Sequence, residues 1–283
     1  MEYKITKYEL QNDLLAETLQ ELSLCYAELG AEVYVVGAAA RDLAMHLLKM
    51  QEAPRRTLDL DVAVLLQDWD QYGQLTAILL QHHFIKSAEK QRFIYPCTNG
   101  QNKYEVDIVP FGAIATDEQV AWPPEGSPVM SVRCFEDVMQ SADNVWIDNT
   151  FSFRIAPLSG QFLIKLDTWQ DRRLKTKKDA VDMVFILRNT YIAYALNSNG
   201  LPPEIDIDAQ QFDLTVAGAE WIAADLKKIL TMEHRQYYAS LLQKELDSEE
   251  NSALINDMLD VSDSRNYMLF RRAISRMAQI LSL

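Results

Sequence analysis

Cysteine and histidine are scarce in this 283-residue sequence, which contains three cysteines and four histidines. The cysteines, Cys25, Cys97 and Cys134, are odd in number and far apart, a pattern that argues against a disulfide framework. No histidine stands at metal-ligand spacing from a cysteine, so we expect no zinc site. Each cysteine is instead expected to be a small buried hydrophobic residue.

Long hydrophobic runs are also missing. No stretch of about 18 apolar residues occurs, and the N-terminal segment lacks a basic region followed by an apolar one. The sequence therefore predicts neither a membrane span nor a secretory signal. We expect a cytoplasmic protein that has no membrane partner.

Positive charge is in the minority, with 27 lysines and arginines against 41 aspartates and glutamates and a formal net charge of −14. Such a surface repels polyanions, so general DNA binding is not expected. A short basic run nevertheless contains Arg172, Arg173, Lys175, Lys177 and Lys178. A local positive site on an acidic protein suits a discrete phosphate-bearing ligand, and a solvated helix face is the alternative interpretation of this run.

The hydrophobic pattern predicts an α+β fold in two domains, an α/β domain over residues 1–155 and a helical domain over residues 156–283. The Pro-rich stretch between residues 114 and 150 is typical of a loop region. Beyond it, apolar residues recur at steps of three and four. The elements expected in the first domain are helices over 8–29, 38–50 and 70–83 and strands over 32–36, 58–66, 91–96 and 103–111.

Two aspartates, Asp59 and Asp61, begin one of the predicted strands. Because side chains on a strand alternate, both carboxylates point to the same face. Grouping carboxylates away from water is costly without a positive partner, and Mg²⁺ prefers hard oxygen ligands of this kind. Asp107, in the middle of a later strand, would join the pair if the two strands are neighbours. Alone, this spacing also occurs at turns and solvated strand ends.

Positive charge and a glycine accompany the acidic pair. Arg55 and Arg56 precede it and are expected to offset its charge when no metal is bound. Gly37 lies between a predicted strand and a predicted helix, where backbone N–H groups can hold a phosphate. A tight turn made for steric reasons is the alternative explanation of this glycine.

Three segments, VVGAAARDL (35–43), LDLDVAV (58–64) and EVDIVPFG (105–112), resemble the DNA-polymerase-β-type nucleotidyltransferase superfamily in sequence and in order. More narrowly, VDIVPFGAI, WPPEG, IAPLSGQFLIKLDTWQDR and KKDAVDMVFIL resemble predicted nucleotidyltransferases related to bacterial abortive-infection (AbiE-type) toxins. The likeness extends over residues 30 to 190. It implies a nucleotidyltransferase-like mixed sheet with flanking helices in the first domain.

The resemblance implies a metal site at three matching residues. Asp59 and Asp61 would hold two Mg²⁺ ions, and Asp107 would complete the site and help to deprotonate the attacking hydroxyl. The substrate would be a nucleoside triphosphate. Its nucleoside monophosphate would pass to an RNA end such as that of a transfer RNA, to a protein hydroxyl or to a small molecule.

The resemblance also implies nucleotide-binding roles for Gly37, Ala38, Arg41 and Lys165, the last acting from the second domain. Ala38 departs from the family, which usually has Gly-Ser or Gly-Gly here, and this change removes a hydroxyl that could bond a phosphate oxygen. Arg41 could instead form an ion pair with the acidic site, and Lys165 could reach solvent along its own stem. The nearby Asp179 and Asp182, three residues apart, could orient Lys165 or pair with the basic run.

Two functions remain open from the sequence. The first is a metal-dependent nucleotidyltransferase, acting as the toxin of a toxin–antitoxin or abortive-infection system with an antitoxin protein as a partner. The second is a non-catalytic nucleotide-binding or partner-binding protein that keeps the same fold. The absence of Ser or Gly at position 38 favours the second, and the retention of three aspartates favours the first.

Overall fold

The structure is a computed structural model that describes residues 1–10, 12–50, 59–97, 103–197, 200–263 and 265–283. Arg55 and Arg56, which the sequence pairs with the acidic residues, lie outside the described residues. The chain divides into two compact units. The first contains the described residues of Met1–Ala44 and Pro54–Pro157, and the second those of Met45–Ala53 and Leu158–Leu283.

The described residues form ten strands. These are β1 (Glu2–Ile5), β2 (Tyr34–Val36), β3 (Asp59–Leu65), β4 (Ile85–Lys86), β5 (Arg92–Pro96), β6 (Lys103–Phe111), β7 (Gln119–Ala121), β8 (Val129–Ser131), β9 (Asp143–Ile147) and β10 (Phe151–Ile155). Eight of them make one mixed sheet in the order β1-β9-β10-β2-β3-β6-β5-β4, while β7 and β8 pair separately. The pairs β1 with β9, β10 with β2, and β3 with β6 are parallel, and the others are antiparallel. A mixed sheet with many helices is an α+β architecture, as predicted.

The same residues form eleven α-helices. These are α1 (Lys7–Leu10), α2 (Asp13–Leu29), α3 (Gly37–Leu47), α4 (Trp69–Gln81), α5 (Phe135–Gln140), α6 (Leu158–Arg172), α7 (Lys178–Ala195), α8 (Leu214–Ile229), α9 (Met232–Asp247), α10 (Ala253–Asp260) and α11 (Tyr267–Ser282). A 3₁₀ turn covers Glu249–Asn251. None of these helices combines the length and the apolar character needed to span a bilayer.

The central strands have two chemically different faces. Along β3 and β6, alternate residues such as Leu60, Val62 and Val106 are fully buried on one face. That face lies on the side of α2. The hydroxyl of Tyr95 on β5 donates a hydrogen bond to the carboxylate of Glu17 on α2 at 3.3 Å. The opposite face carries acidic side chains together with buried apolar residues such as Ala63 and Phe111. This division follows from the period-two alternation of each strand.

The cysteines have the surroundings that the sequence predicts. Cys25, Cys97 and Cys134 are all buried free thiols. Burial, together with the nearby carboxylates of Glu21 and Glu28, raises the pKa of the Cys25 thiol to about 12. This thiol is therefore protonated and unreactive at neutral pH, as expected for a residue that packs as a hydrophobic group.

Two predictions for the first unit need correction. The helix predicted over 8–29 is divided, because the side chain of Asn12 caps a new helix, accepting a hydrogen bond from the N–H of Leu15 at 3.0 Å. The segment 114–150 was predicted to be a loop, but it contains β9, which joins the main sheet between β1 and β10. Short strands of this kind are stabilised by partners distant in the sequence, and local periodicity does not reveal them.

The described residues of the second unit are mainly helical. Asp213 caps α8 by accepting a hydrogen bond from the N–H of Thr215 at 2.8 Å. Helices α7 and α8 approach very closely at Gly218, where an added Cβ would lie 2.0 Å from the carbonyl oxygen of Leu187. Glycine at this position therefore sets how closely the two helices pack.

Candidate active site

Four acidic residues share one face of two neighbouring strands. In the parallel pairing of β3 with β6, Asp61 is opposite Asp107 and Asp59 is opposite Glu105. Residues opposite each other in register, and residues two apart on a strand, point to the same side of the sheet. The sequence placed Asp107 beside the acidic pair on condition that the two strands are neighbours, and they are.

Gly37 is in direct contact with one of these carboxylates. It follows Val36, whose register partner on β3 is Asp61, and it has a φ of +69°. A Cβ added at Gly37 would lie 2.1 Å from Oδ2 of Asp61 and 2.9 Å from its Cγ. Real side-chain carbons do not approach so closely. Glycine is therefore required here by both its backbone conformation and the packing of Asp61, so the tight turn and the acidic site share one residue.

Asp107 is held by an arginine on the next strand. Arg92 of β5 is its antiparallel register partner, and its Nε and its second terminal nitrogen donate to the two Asp107 oxygens at 2.7 and 2.8 Å. The other terminal nitrogen donates to Glu105 at 2.6 Å. The Asp107 carboxylate raises the pKa of Arg92 above its usual range, so this guanidinium is permanently charged. A bidentate pair of this kind fixes the orientation of both side chains.

Arg92 did not emerge from the sequence as a site residue. The sequence does contain a hint of its role, because the charged Arg92 stands at the start of a strand and is followed by Phe93, which is fully buried. Recognising its role required the order of the strands, because only the β5 to β6 pairing places it opposite Asp107. Register between strands is a tertiary property that local pattern does not determine.

The oxygen ligands on this face suit a magnesium ion. Among the described residues, no group of three or more His, Cys, Asp or Glu side chains is arranged to hold a metal ion. Mg²⁺ commonly uses one or two carboxylates and completes its shell with water and substrate phosphates. Asp59 and Asp61, both partly exposed, have the right donor chemistry for that role. A carboxylate offers about four lone-pair sites, so Asp107 keeps acceptor capacity beyond its two bonds to Arg92.

The first turns of α3 contain three of the predicted nucleotide-binding residues. Gly37 begins the helix, and both it and Ala38 are partly exposed. Arg41 is only 4% exposed, and its Nε and a terminal nitrogen donate to Oδ1 of the adjacent Asp42 at 2.8 and 2.7 Å. Arg41 thus forms an internal ion pair with its neighbour Asp42, while the pair with the acidic site that the sequence offered as an alternative stays a prediction. Binding of a nucleotide by these residues stays a prediction.

Lys165, on α6, is held by two aspartates of α7. Its Nζ lies 2.8 Å from Oδ2 of Asp182 and 3.6 Å from Oδ1 of Asp179. Asp179 has no exposed surface and also accepts two hydrogen bonds from Arg172, at 2.7 and 2.8 Å. Both alternatives left open by the sequence are observed, since Asp179 and Asp182 contact Lys165 and Asp179 also pairs with Arg172 of the basic run. The contact predicted between Lys165 and a triphosphate stays a prediction.

Much of the basic run around α6 and α7 is engaged within the second unit. Besides the pair of Arg172 with Asp179, Lys177 forms ion pairs with Asp257, at 3.2 Å, and with Asp260. Arg173 lies 5.4 Å from the ring centroid of Trp169. Much of the positive charge of the run is therefore engaged in contacts within the protein. The run is a weaker candidate for a phosphate-binding site than its charge density indicated.

Comparison with known proteins does not assign a family or a function to this site. No family model matches the chain, and no curated protein shows significant similarity to it. The chemistry of this face follows from the arrangement of β2, β3, β5 and β6.

Proposed function

We propose that the protein is a metal-dependent nucleotidyltransferase that transfers a nucleoside monophosphate from a nucleoside triphosphate to a hydroxyl acceptor. The observation that carries the proposal is the packing of the Asp61 carboxylate against Gly37, with Asp107 opposite Asp61 in register. This contact brings the start of α3, the acidic pair and the third aspartate to one place. It unites the three segments on which the family resemblance depends.

The residues that would hold the metal are Asp59 and Asp61, with Asp107 at the side. When bound, Mg²⁺ would neutralise phosphate charge and polarise the transferred phosphoryl group. The backbone at Gly37 lies at the N-terminus of α3, where N–H groups without helical partners favour an anion. The site would thus bind the triphosphate largely through charge neutralisation and positioning.

The reaction would form one P–O bond and break another. The acceptor oxygen attacks the α-phosphorus, and the bond from that phosphorus to the bridging oxygen of the β-phosphate breaks, so pyrophosphate leaves with the electron pair. The hydroxyl proton passes to a carboxylate oxygen of Asp107. Arg92 acts through Asp107 by fixing the direction of its free lone pairs.

A second function, a non-catalytic nucleotide-binding or partner-binding protein, is favoured by one observation. Both oxygens of Asp107 accept hydrogen bonds from Arg92, an arrangement that stabilises the carboxylate without any metal. A fold that had lost catalysis could keep its third aspartate for this reason. If the protein is a nucleotidyltransferase, it would act as a toxin with an antitoxin partner. If it is non-catalytic, its role would be to bind a partner protein or a nucleotide.

The two functions separate in a transfer assay. Each α-labelled nucleoside triphosphate is incubated with the protein, Mg²⁺ or Mn²⁺, and either total RNA, cell lysate or the protein alone. The comparison variants are Asp59→Asn/Asp61→Asn and, as a matched control, Asp70→Asn, which removes an exposed carboxylate on α4. We expect label in the wild type and the control but not in the double variant, and the labelled band identifies the acceptor.

A binding measurement covers the case in which the acceptor is absent from the mixture. A nucleoside triphosphate with Mg²⁺ should raise the melting temperature of the wild type through selective binding to the folded state. The Asp61→Asn variant should lose that increase, whereas Asp70→Asn should keep it. Absence of both labelling and stabilisation would remove the enzyme proposal in favour of a protein that binds a partner.

A further inference from the structure

A groove of about 610 Å³ lies in the second unit. One wall is a face of α11 that carries Arg271, Arg272, Ser275 and Arg276, and the other wall contains Gln211 and Phe212. These α11 positions recur at steps of three, four and one, so they form one side of the helix. The opposite side of α11, including Phe270 and Ile274, is fully buried. The amphipathic helix therefore presents its basic side to the groove.

Two of these arginines have no acidic partner. Arg276 is paired with Glu220, but no described carboxylate lies within 4.0 Å of Arg271 or Arg272. Arg272 donates to the backbone oxygen of Gln211 at 2.7 Å and to its side-chain oxygen at 3.2 Å, and both of these partners are neutral. The positive charges of Arg271 and Arg272 are therefore not balanced by an ion pair with a described residue.

The acidic residue that lines this groove is engaged by the backbone of α8. Asp213 is committed to the N-terminus of α8, where its Oδ1 accepts hydrogen bonds from the N–H groups of Thr215 and Val216. The groove thus keeps uncompensated positive charge in a chain whose net charge is −14. An anion with several oxygens would compensate this charge.

We propose that this groove binds a discrete phosphate group. A guanidinium offers a rigid fork of donors that matches phosphate oxygens, and the hydroxyl of Ser275 adds a further donor along the same face. An adjoining groove of about 250 Å³ contains Glu204 and Asp206, whose charges oppose the extension of a long polyanion. The ligand is therefore a free nucleotide or pyrophosphate, or the terminal phosphate of an RNA.

The proposal does not depend on the nucleotidyltransferase function. All residues of the groove belong to the second unit, whereas Asp59, Asp61 and Asp107 belong to the first. Binding is therefore measured with the Asp59→Asn/Asp61→Asn variant in the presence of EDTA, which removes metal-dependent binding at the acidic face. Phosphate binding that persists under these conditions belongs to another site.

The probes are inorganic pyrophosphate, measured by calorimetry, and a fluorescent RNA 12-mer with or without a 5′-phosphate, measured by anisotropy. In that background, Arg271→Gln/Arg272→Gln should weaken binding by at least about tenfold, because it removes charge-assisted hydrogen bonds. The matched control, Lys227→Gln/Lys228→Gln, removes two positive charges from the other end of α8 and should change affinity by less than about twofold. Citrate serves as a carboxylate competitor.

Each outcome decides the proposal or the source of the phosphate. Binding of pyrophosphate alone assigns the groove to a free phosphate compound, and a preference for the 5′-phosphorylated RNA assigns it to an RNA end. If the double variant loses its fold, as judged by circular dichroism, Arg271→Gln alone replaces it, because that side chain makes no hydrogen bond to a described residue. The proposal is overturned if no phosphate probe binds, if the lysine control weakens binding equally, or if citrate binds as tightly.

Discussion

Replacing Gly37 with alanine should destabilise the protein by two separable effects. Alanine in the left-handed conformation at φ +69° costs about 1–2 kcal/mol. The new Cβ would also lie 2.1 Å from Oδ2 of Asp61, so the carboxylate must leave its rotamer, which costs a further 0.5–1.5 kcal/mol or so. We therefore expect a loss of about 1.5–3.5 kcal/mol in the free energy of unfolding.

The matched control is Gly30→Ala. Gly30 ends α2 with a φ of +73°, but no atom lies within 4 Å of the position that its Cβ would take. It carries the same backbone penalty without the clash. Equilibrium unfolding in urea of both variants and the wild type gives the two losses, and the excess for Gly37→Ala measures the contact with Asp61.

A double-mutant cycle provides the sharper test. When Asp61→Ala removes the carboxylate, the added methyl at position 37 no longer meets an oxygen, so the second substitution should be less damaging than in the wild type. We expect a favourable coupling of about 0.5–1.5 kcal/mol between the two positions. The reasoning is refuted if Gly37→Ala costs no more than Gly30→Ala, or if the two substitutions are strictly additive.

Two other contacts in the first unit make testable predictions. Arg92→Gln removes the bidentate partner of Asp107 and should lower the free energy of unfolding by about 1.5–3 kcal/mol, and Arg92→Lys should not fully restore it. An unchanged urea midpoint in Arg92→Gln would show that the pair is not stabilising. Hydrogen bonds from the His82 ring, first to Glu21 and second to Glu28, raise the pKa of His82. The stability that these bonds add to the folded protein should be complete below about pH 6.5 and should disappear as the pH rises through the folded-state pKa. Urea unfolding of wild type and His82→Gln between pH 5.5 and 8.5 should show a difference that shrinks with pH, and a constant difference would contradict this.

The sequence predicted those parts of the fold that have strong local periodicity. β3 and β6 were located because buried residues alternate with aspartates that point to the other face. β1 and β9 were missed, since each is short and is stabilised by a parallel pairing between segments far apart in the chain. Nothing in either segment alone distinguishes such a strand from a loop.

The candidate site was predicted in part for the same reason. Asp59, Asp61 and Asp107 follow from alternation along single strands, and their common face needed only the pairing of β3 with β6. Arg92 depends on the register of a third strand, and the contact of Gly37 with Asp61 depends on the exact path of the backbone. These are three-dimensional properties that spacing in the sequence does not contain.

The close approach of α7 and α8 at Gly218 has a consequence for the groove of the second unit. A methyl group at this position cannot be absorbed by a flexible side chain, because the atom that it meets is the backbone oxygen of Leu187. The whole of α8 would have to shift, and the N-terminal cap of α8, Asp213, lines the groove opposite α11. The width of the groove therefore depends on the packing at Gly218, a residue that does not line it.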